Sequence, residues 1–158
     1  MNKGIPMKYM IPFFCLITIM CGACSSAPQD STGMQNDTFR PCPDSPNCVS
    51  SMATDSSHAV QPFAYSGITK EKARGIIVSI LENTKRCRII SLEESYIHAE
   101  FRSLVFRFVD DVEFFFPEDD SIVHVKSASR LGYSDFGVNR SRVEEFRSAF
   151  NQQASFAD

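Results

Sequence analysis

A change of hydrophobic period, from helical to alternating and back, constrains this fold more than any other feature of the sequence. Ala73, Ile76, Ile77, Ile80 and Leu81 recur at helical spacing, with Thr69 in the place of an N-cap, which predicts a helix over about 70–84. Arg88 to Leu92 then reads as a strand, turned by Glu93-Glu94-Ser95. Tyr96 to Arg102 alternates: Ile97, Ala99 and Phe101 face one way, Tyr96, His98, Glu100 and Arg102 the other. Val112 to Phe116 alternates as well, Pro117-Glu118-Asp119-Asp120 makes a hairpin turn, and Ile122 to Ala128 returns. The helical period resumes near Asn139, burying Val143, Phe146 and Phe150. Gln61 to Tyr65 reads as a short edge strand, and Leu104 to Asp110 has no clear assignment.

Hairpin-linked strands pair antiparallel, and two amphipathic helices can cover one face of such a sheet. The expected class is therefore α+β: a two-layer sandwich, with an antiparallel sheet of about four strands and two helices on one face. The other face would carry Tyr96, His98, Arg102, Glu113, Phe115 and His124, as a solvated surface or as a ligand or partner surface.

The 158 residues divide unevenly. Lys3 and Lys8 precede an apolar run from Met10 to Met20, which leads into Cys21-Gly22-Ala23-Cys24-Ser25-Ser26. A positive start, a short apolar stretch and small residues at a cut site are the layout of a bacterial export signal. Residues 1–23 are read as a lipoprotein-type signal peptide, with Cys24 lipidated (palmitate among its acyl chains) as the mature N-terminus. Cys21 departs from the usual aliphatic residue at that place, which leaves cleavage after Ala27 and a retained anchor as alternatives. The apolar run is shorter than the ~20 residues a membrane span takes. Residues 24–40 are polar and are read as a flexible tether, residues 41–153 as one domain, and 154–158 as a tail. Removing Lys3 and Lys8 takes the formal charge from −3 to −5. So acidic a domain is a poor match for nonspecific nucleic-acid binding. The 14 Phe, with no Trp, must supply much of the core.

Processing leaves Cys24, Cys42, Cys48 and Cys87. With Cys24 lipidated, Cys42 and Cys48 are the natural pair in an oxidising envelope, across the turn-rich Cys42-Pro43-Asp44-Ser45-Pro46-Asn47-Cys48. A metal site with His58 and a pair of reduced thiols are the rivals, and the spacing matches no structural zinc pattern. Cys87 reads as a small core residue.

That cysteine segment, His58 and Pro62, Phe108-Val109-Asp110-Asp111-Val112, and the long run from Val125 through Ser129-Arg130-Leu131-Gly132-Tyr133-Ser134-Asp135-Phe136-Gly137-Val138-Asn139 to Val143 together resemble the family catalogued as domain of unknown function 1499. The resemblance covers essentially all of residues 41–150. It implies membership without implying an activity.

Asn139-Arg140-Ser141-Arg142 opens the last helix, and Arg130 precedes it on the same loop. Cations are unfavourable at a helix N-terminus, where free N–H groups and the macrodipole are positive. Arg130, Asp135, Asn139, Arg140 and Arg142 are therefore candidates for an anion site, against the alternative that Asp135 pairs with an arginine and pins the loop. No Gly-x-Ser-x-Gly, HExxH or Gly-rich phosphate loop occurs. Asp110-Asp111 lacks the ligand-rich loop that calcium requires. No catalytic residue, metal or cofactor is assigned. The expectation is an envelope-anchored lipoprotein of the outer membrane facing the periplasm (or a soluble periplasmic or secreted protein). It would act as a ligand-binding or assembly module for an anionic small molecule or an envelope protein. The alternative is an enzyme of unrecognised type acting on an anionic envelope substrate, with polar groups around Arg130, Asp135 and His58.

Overall fold

In the computed structural model, which describes residues 1, 32–104 and 106–156, the second half of the chain builds the sheet and the first half edges and covers it. The predicted signal segment and Cys24 lie outside the described residues. The elements in chain order are β1 (Met34–Gln35), β2 (Thr38–Phe39), β3 (Cys48–Ser50), β4 (Phe63–Ala64), α1 (Lys70–Asn83), β5 (Cys87–Leu92), β6 (Tyr96–Arg102), β7 (Val109–Phe115), β8 (Ile122–Ser129) and α2 (Val138–Ser155). Six strands form one antiparallel sheet in the order β3-β8-β7-β6-β5, with β4 on the same edge of β8 as β3. The expected four strands are thus β5 to β8, and the sheet is larger by two. Ser50 and Ala64 end strands too short to show a period, which is why β3 escaped the pattern.

Both helices pack on one face. Ala73, Ile76, Ile77, Ile80 and Leu81 of α1 and Val143, Phe146 and Phe150 of α2 share a core with Ile97, Ala99, Phe101, Val112, Phe114, Val123 and Val125 of the sheet. Thr69 caps α1 as predicted, its hydroxyl accepting from the Lys72 N–H at 3.3 Å. Phe150 is fully buried, with its ring centroid 5.7 Å from that of Phe63.

The opposite face is not an open solvated surface. Its His98 and Phe115 are buried and Glu113 is 1% exposed. The segment read as tether contributes: β1 and β2 form a hairpin around Asn36-Asp37, both with positive φ, as a two-residue hairpin turn requires. The Gly33 N–H donates to Glu113 Oε1 at 2.6 Å, Lys126 Nζ donates to the Arg40 carbonyl at 2.8 Å, and Phe39 is 4% exposed. Composition pointed to a tether because this hairpin is polar. It is held by hydrogen bonds to the sheet and one aromatic ring rather than by a periodic apolar face.

Truncating Phe150 to Ala should cost about 3–5 kcal/mol in urea unfolding, the range for a fully buried aromatic. A loss below about 1 kcal/mol would show that α2 does not seat on this core.

Candidate functional site

The residues singled out in the sequence gather at one end of the sheet, where β6, β7 and β8 meet the start of α2. Strand alternation sends Asp110 to the helix face and Asp111 to the opposite face. The β8–α2 connection uses both. At its start, Arg130 Nε donates to Asp111 Oδ2 and Nη2 to Asp111 Oδ1, each at 2.8 Å, and Nη2 also donates to Glu100. At its end, Arg142 Nη2 donates to Asp110 Oδ2 at 2.6 Å, and its guanidinium lies over the Phe101 ring, 4.9 Å from the centroid. One loop thereby grips two consecutive carboxylates from the two sides of a strand.

Beneath this clamp, Asn139 is fully buried and cross-links three segments. Its Nδ2 donates to the Asn47 carbonyl at 2.8 Å and to Ser129 Oγ at 2.9 Å, and its Oδ1 accepts from Ser127 Oγ and Arg142 Nη1, both at 2.6 Å. Asn47 Nδ2 donates to the Gly132 carbonyl at 2.6 Å. Gly137, in the left-handed region, occupies the N-cap position of α2 and gives no side-chain cap. Asp135 does the capping work instead: Oδ1 accepts from the Gly137 N–H at 3.0 Å and Oδ2 from the Asn139 N–H at 2.7 Å.

Of the five anion-site candidates, Asp135, Asn139 and Arg142 are linked to one another, while Arg130 is bound to Asp111 and Glu100 and Arg140 to the 57–59 segment. The helix N-terminus already holds a carboxylate, that of Asp135. Arg130 and Arg142 are ion-paired, and Arg140 donates to the carbonyls of Ala59 and Ser57 at 2.8 and 2.7 Å. The loop is pinned by other pairs than the expected one: Asp135 binds backbone N–H groups rather than an arginine, and Arg130 and Arg142 pair with Asp111, Glu100 and Asp110. Asn47 was not singled out in advance. Its only signal was its place in the cysteine segment.

On the far face the buried charges continue. His98 Nε2 lies 2.7 Å from Asp111 Oδ1, Tyr96 Oη donates to Glu113 Oε1 at 2.6 Å, and Lys126 Nζ lies 3.6 Å from Glu113 Oε2. Burial by itself would raise the Asp111 carboxyl, but hydrogen bonds from Arg130 and His98 outweigh it and hold the group below its usual range. Burial draws Lys126 below an ordinary lysine, with Glu113 opposing, and lifts the Tyr96 phenol.

Cys42 and Cys48 are joined in a disulfide, so the metal reading of that pair falls. His58 is held between Asp55, 2.8 Å from Nδ1, and the Ser45 carbonyl, 3.2 Å from Nε2. Cys87 is half-buried against the core, and its burial pushes the thiol up to about 11. His124 Nδ1 lies 3.1 Å from Ser51 Oγ, and that oxygen accepts from the Val125 N–H. Arg130, Asp135 and His58 each face a different set of partners and do not converge on a common point. Among the described residues no group of three or more His, Cys, Asp or Glu side chains is placed to hold a metal.

What this end offers to solvent is apolar and cationic. Leu104, Phe106, Leu131, Tyr133 and Phe136 are 75%, 74%, 59%, 76% and 97% exposed. A cleft of about 480 Å³ opens beside Leu104 and Phe136, lined by Lys85, Arg86 and Arg102 and also by Asp110 and Glu145. The sequence did signal these residues: they are large apolar side chains outside any periodic segment.

The model of the family described as Protein of unknown function (DUF1499) matches residues 38–150, a span that includes the cysteine segment, Asp110-Asp111 and the whole β8–α2 loop. No curated protein and no solved structure matches the chain.

Asp111→Asn breaks a buried pair and should cost about 3–5 kcal/mol at neutral pH. Because the folded-state pKa of Asp111 is depressed, the native protein binds fewer protons than the unfolded chain between that value and about 3.9. The stabilisation is thus full above about pH 4 and fades as pH falls through the folded pKa. Thermal melts from pH 7 to pH 3 should show an acid limb that is shallower in Asp111→Asn. Limbs of equal slope would remove Asp111 from that role.

Proposed function

This chain belongs to the DUF1499 family, and on that premise we propose that it is an envelope-anchored lipoprotein, held by a lipid on Cys24, whose clamped end binds an anionic envelope molecule. One observation carries the binding part. The polar groups of Arg130, Asn139 and Arg142 turn inward onto Asp111, Asn47 and Asp110, while Leu131, Tyr133 and Phe136 of the β8–α2 loop stay exposed near a cleft whose lining includes Lys85, Arg86 and Arg102 beside Asp110 and Glu145. A folded chain rarely exposes contiguous large apolar side chains unless they contact something. A disulfide between Cys42 and Cys48 agrees with an oxidising compartment. No helix among the described residues is long and apolar enough to cross a membrane.

An enzyme acting on an anionic envelope substrate would have to draw on groups other than Arg130, Asp135 and His58, whose polar atoms are engaged within the fold. The reading therefore assigns the loop a presenting role and no bond-breaking one.

Cells expressing the chain and fed an alkyne-bearing palmitate should yield a labelled protein in the membrane fraction, with both label and sedimentation lost in Cys24→Ser. A labelled Cys24→Ser protein would refute the anchor. For the binding end, short-chain phosphatidylglycerol kept below its micelle concentration should raise the melting temperature by mass action. The rise should shrink in Arg102→Gln and Phe136→Ser, whose own melting stays within about 0.5 kcal/mol of the parent because both sites are exposed.

A further inference from the structure

The two ends of the sheet carry opposite charge. The β5–β6 and β7–β8 turns hold Glu93, Glu94, Glu118, Asp119 and Asp120 and no cation. At the other end, the α1–β5 turn holds Lys85 and Arg86, Arg102 closes β6, and Arg107 lies in the β6–β7 loop, with no acid in either segment. The start of α1 brings Lys70 onto Glu118 and Arg74 onto the Glu93 carbonyl, and Glu145 lines the cleft beside Arg86 and Arg102, so what the two ends present is an excess of acids at one and of cations at the other.

Phe106, Phe108, Tyr133 and Phe136 are exposed at the basic end, and Phe156 is exposed at the far end of α2. Phe106 and Phe108 of the β6–β7 loop stack on each other with centroids 5.5 Å apart, and Phe136 comes from the β8–α2 loop. Arg107 and Phe136 both adopt left-handed backbone, with φ of 54°, although neither is a residue type that favours it. At Phe136 that conformation accompanies a ring left 97% exposed. Strain of this kind persists only where the surrounding structure holds it, and here the clamp on Asp110 and Asp111 flanks it.

Resting on the reading of this end as the binding end, we infer that its partner is the surface of an anionic bilayer, with Phe106, Phe136, Tyr133 and Leu104 entering the headgroup region and Lys85, Arg86, Arg102 and Arg107 facing the lipid phosphates. The charge distribution orients the domain: the cationic end is drawn to an anionic surface and the acidic end is repelled. The chain length agrees. The described fold takes hold of the N-terminal segment at Gly33, through Glu113, four residues of β7 from the tip at Val109, or about 13 Å. The nine steps from Cys24 to Gly33 reach at most ~30 Å, enough for a lipid on Cys24 and the loop tips to meet one bilayer plane.

The absence of tryptophan gives a direct test. Phe106→Trp and Phe136→Trp each introduce a single reporter at the tip, and Phe156→Trp places one at the exposed far end of α2. The full chain is reconstituted with vesicles of phosphatidylglycerol and phosphatidylethanolamine, or of phosphatidylcholine alone. Expected are a blue shift and quenching by brominated acyl chains for both tip variants on the anionic vesicles, weaker on phosphatidylcholine and absent for Phe156→Trp. Replacing Arg107 by Asn, which tolerates the left-handed backbone, should weaken tip quenching about five-fold. Protein that floats with anionic vesicles while both tip reporters stay unshifted would overturn the inference and leave the anchored reading with a soluble ligand. Protein that neither floats nor shifts would overturn both. A blue shift already present without vesicles would mean that the chain's own apolar N-terminal segment occupies the tip, which also overturns it.

Discussion

The grip of Arg130 and Arg142 on Asp111 and Asp110 organises the rest of this molecule. Two carboxylates adjacent in a strand must face opposite sides of the sheet. A connection that pairs with both has to wrap the sheet end, and that constrains where α2 begins, since Arg142 is the fifth residue of the helix. Burial makes the pairing consequential: Asp111 is 2% exposed and the Arg130 side chain 5%. Leaving either charge without its partner would strand the other in a poorly solvated site, a larger penalty than the pair's net contribution to stability.

The resemblance to the family lies in these same residues, and their geometry gives that signature an architectural role. Asn47, Asp110, Asp111, Ser129, Arg130, Asp135, Asn139 and Arg142 use their polar atoms on one another. The cysteine segment joins in through Asn47, and the disulfide closes the short loop that positions it. The clamped scaffold then holds out a set of side chains, Phe136 foremost, that contribute nothing to its own core. In the proposed reading, stability falls to the inward polar residues and binding to the exposed apolar ones.

Much of the architecture was legible because period reports burial. The helices over 70–83 and 138–155 and the strands from β5 to β8 follow from apolar spacing alone, within a residue or two at most ends. The short strands β1 to β4 were only partly legible, because two or three residues cannot display a period, and the N-terminal hairpin is held by polar contacts that composition reads as tether. At the site, the type of chemistry was legible and its direction was not. Arginines beside a helix N-terminus mark either a ligand or an internal partner, and only the register of β7 shows that Asp110 and Asp111 stand where those arginines reach. The exposed phenylalanines passed unnoticed because a pattern search looks for apolar residues that face inward.

Native-state amide hydrogen exchange in the β8–α2 connection tests the clamp most directly. The N–H groups of Arg130, bonded to the Val109 carbonyl, and of Asn139, bonded to Asp135, should exchange nearly as slowly as those of the central strands. In Asp110→Asn they should exchange much faster while β5 and β6 keep their protection. Fast exchange at both positions in the parent protein, or protection unchanged in the variant, would contradict the account.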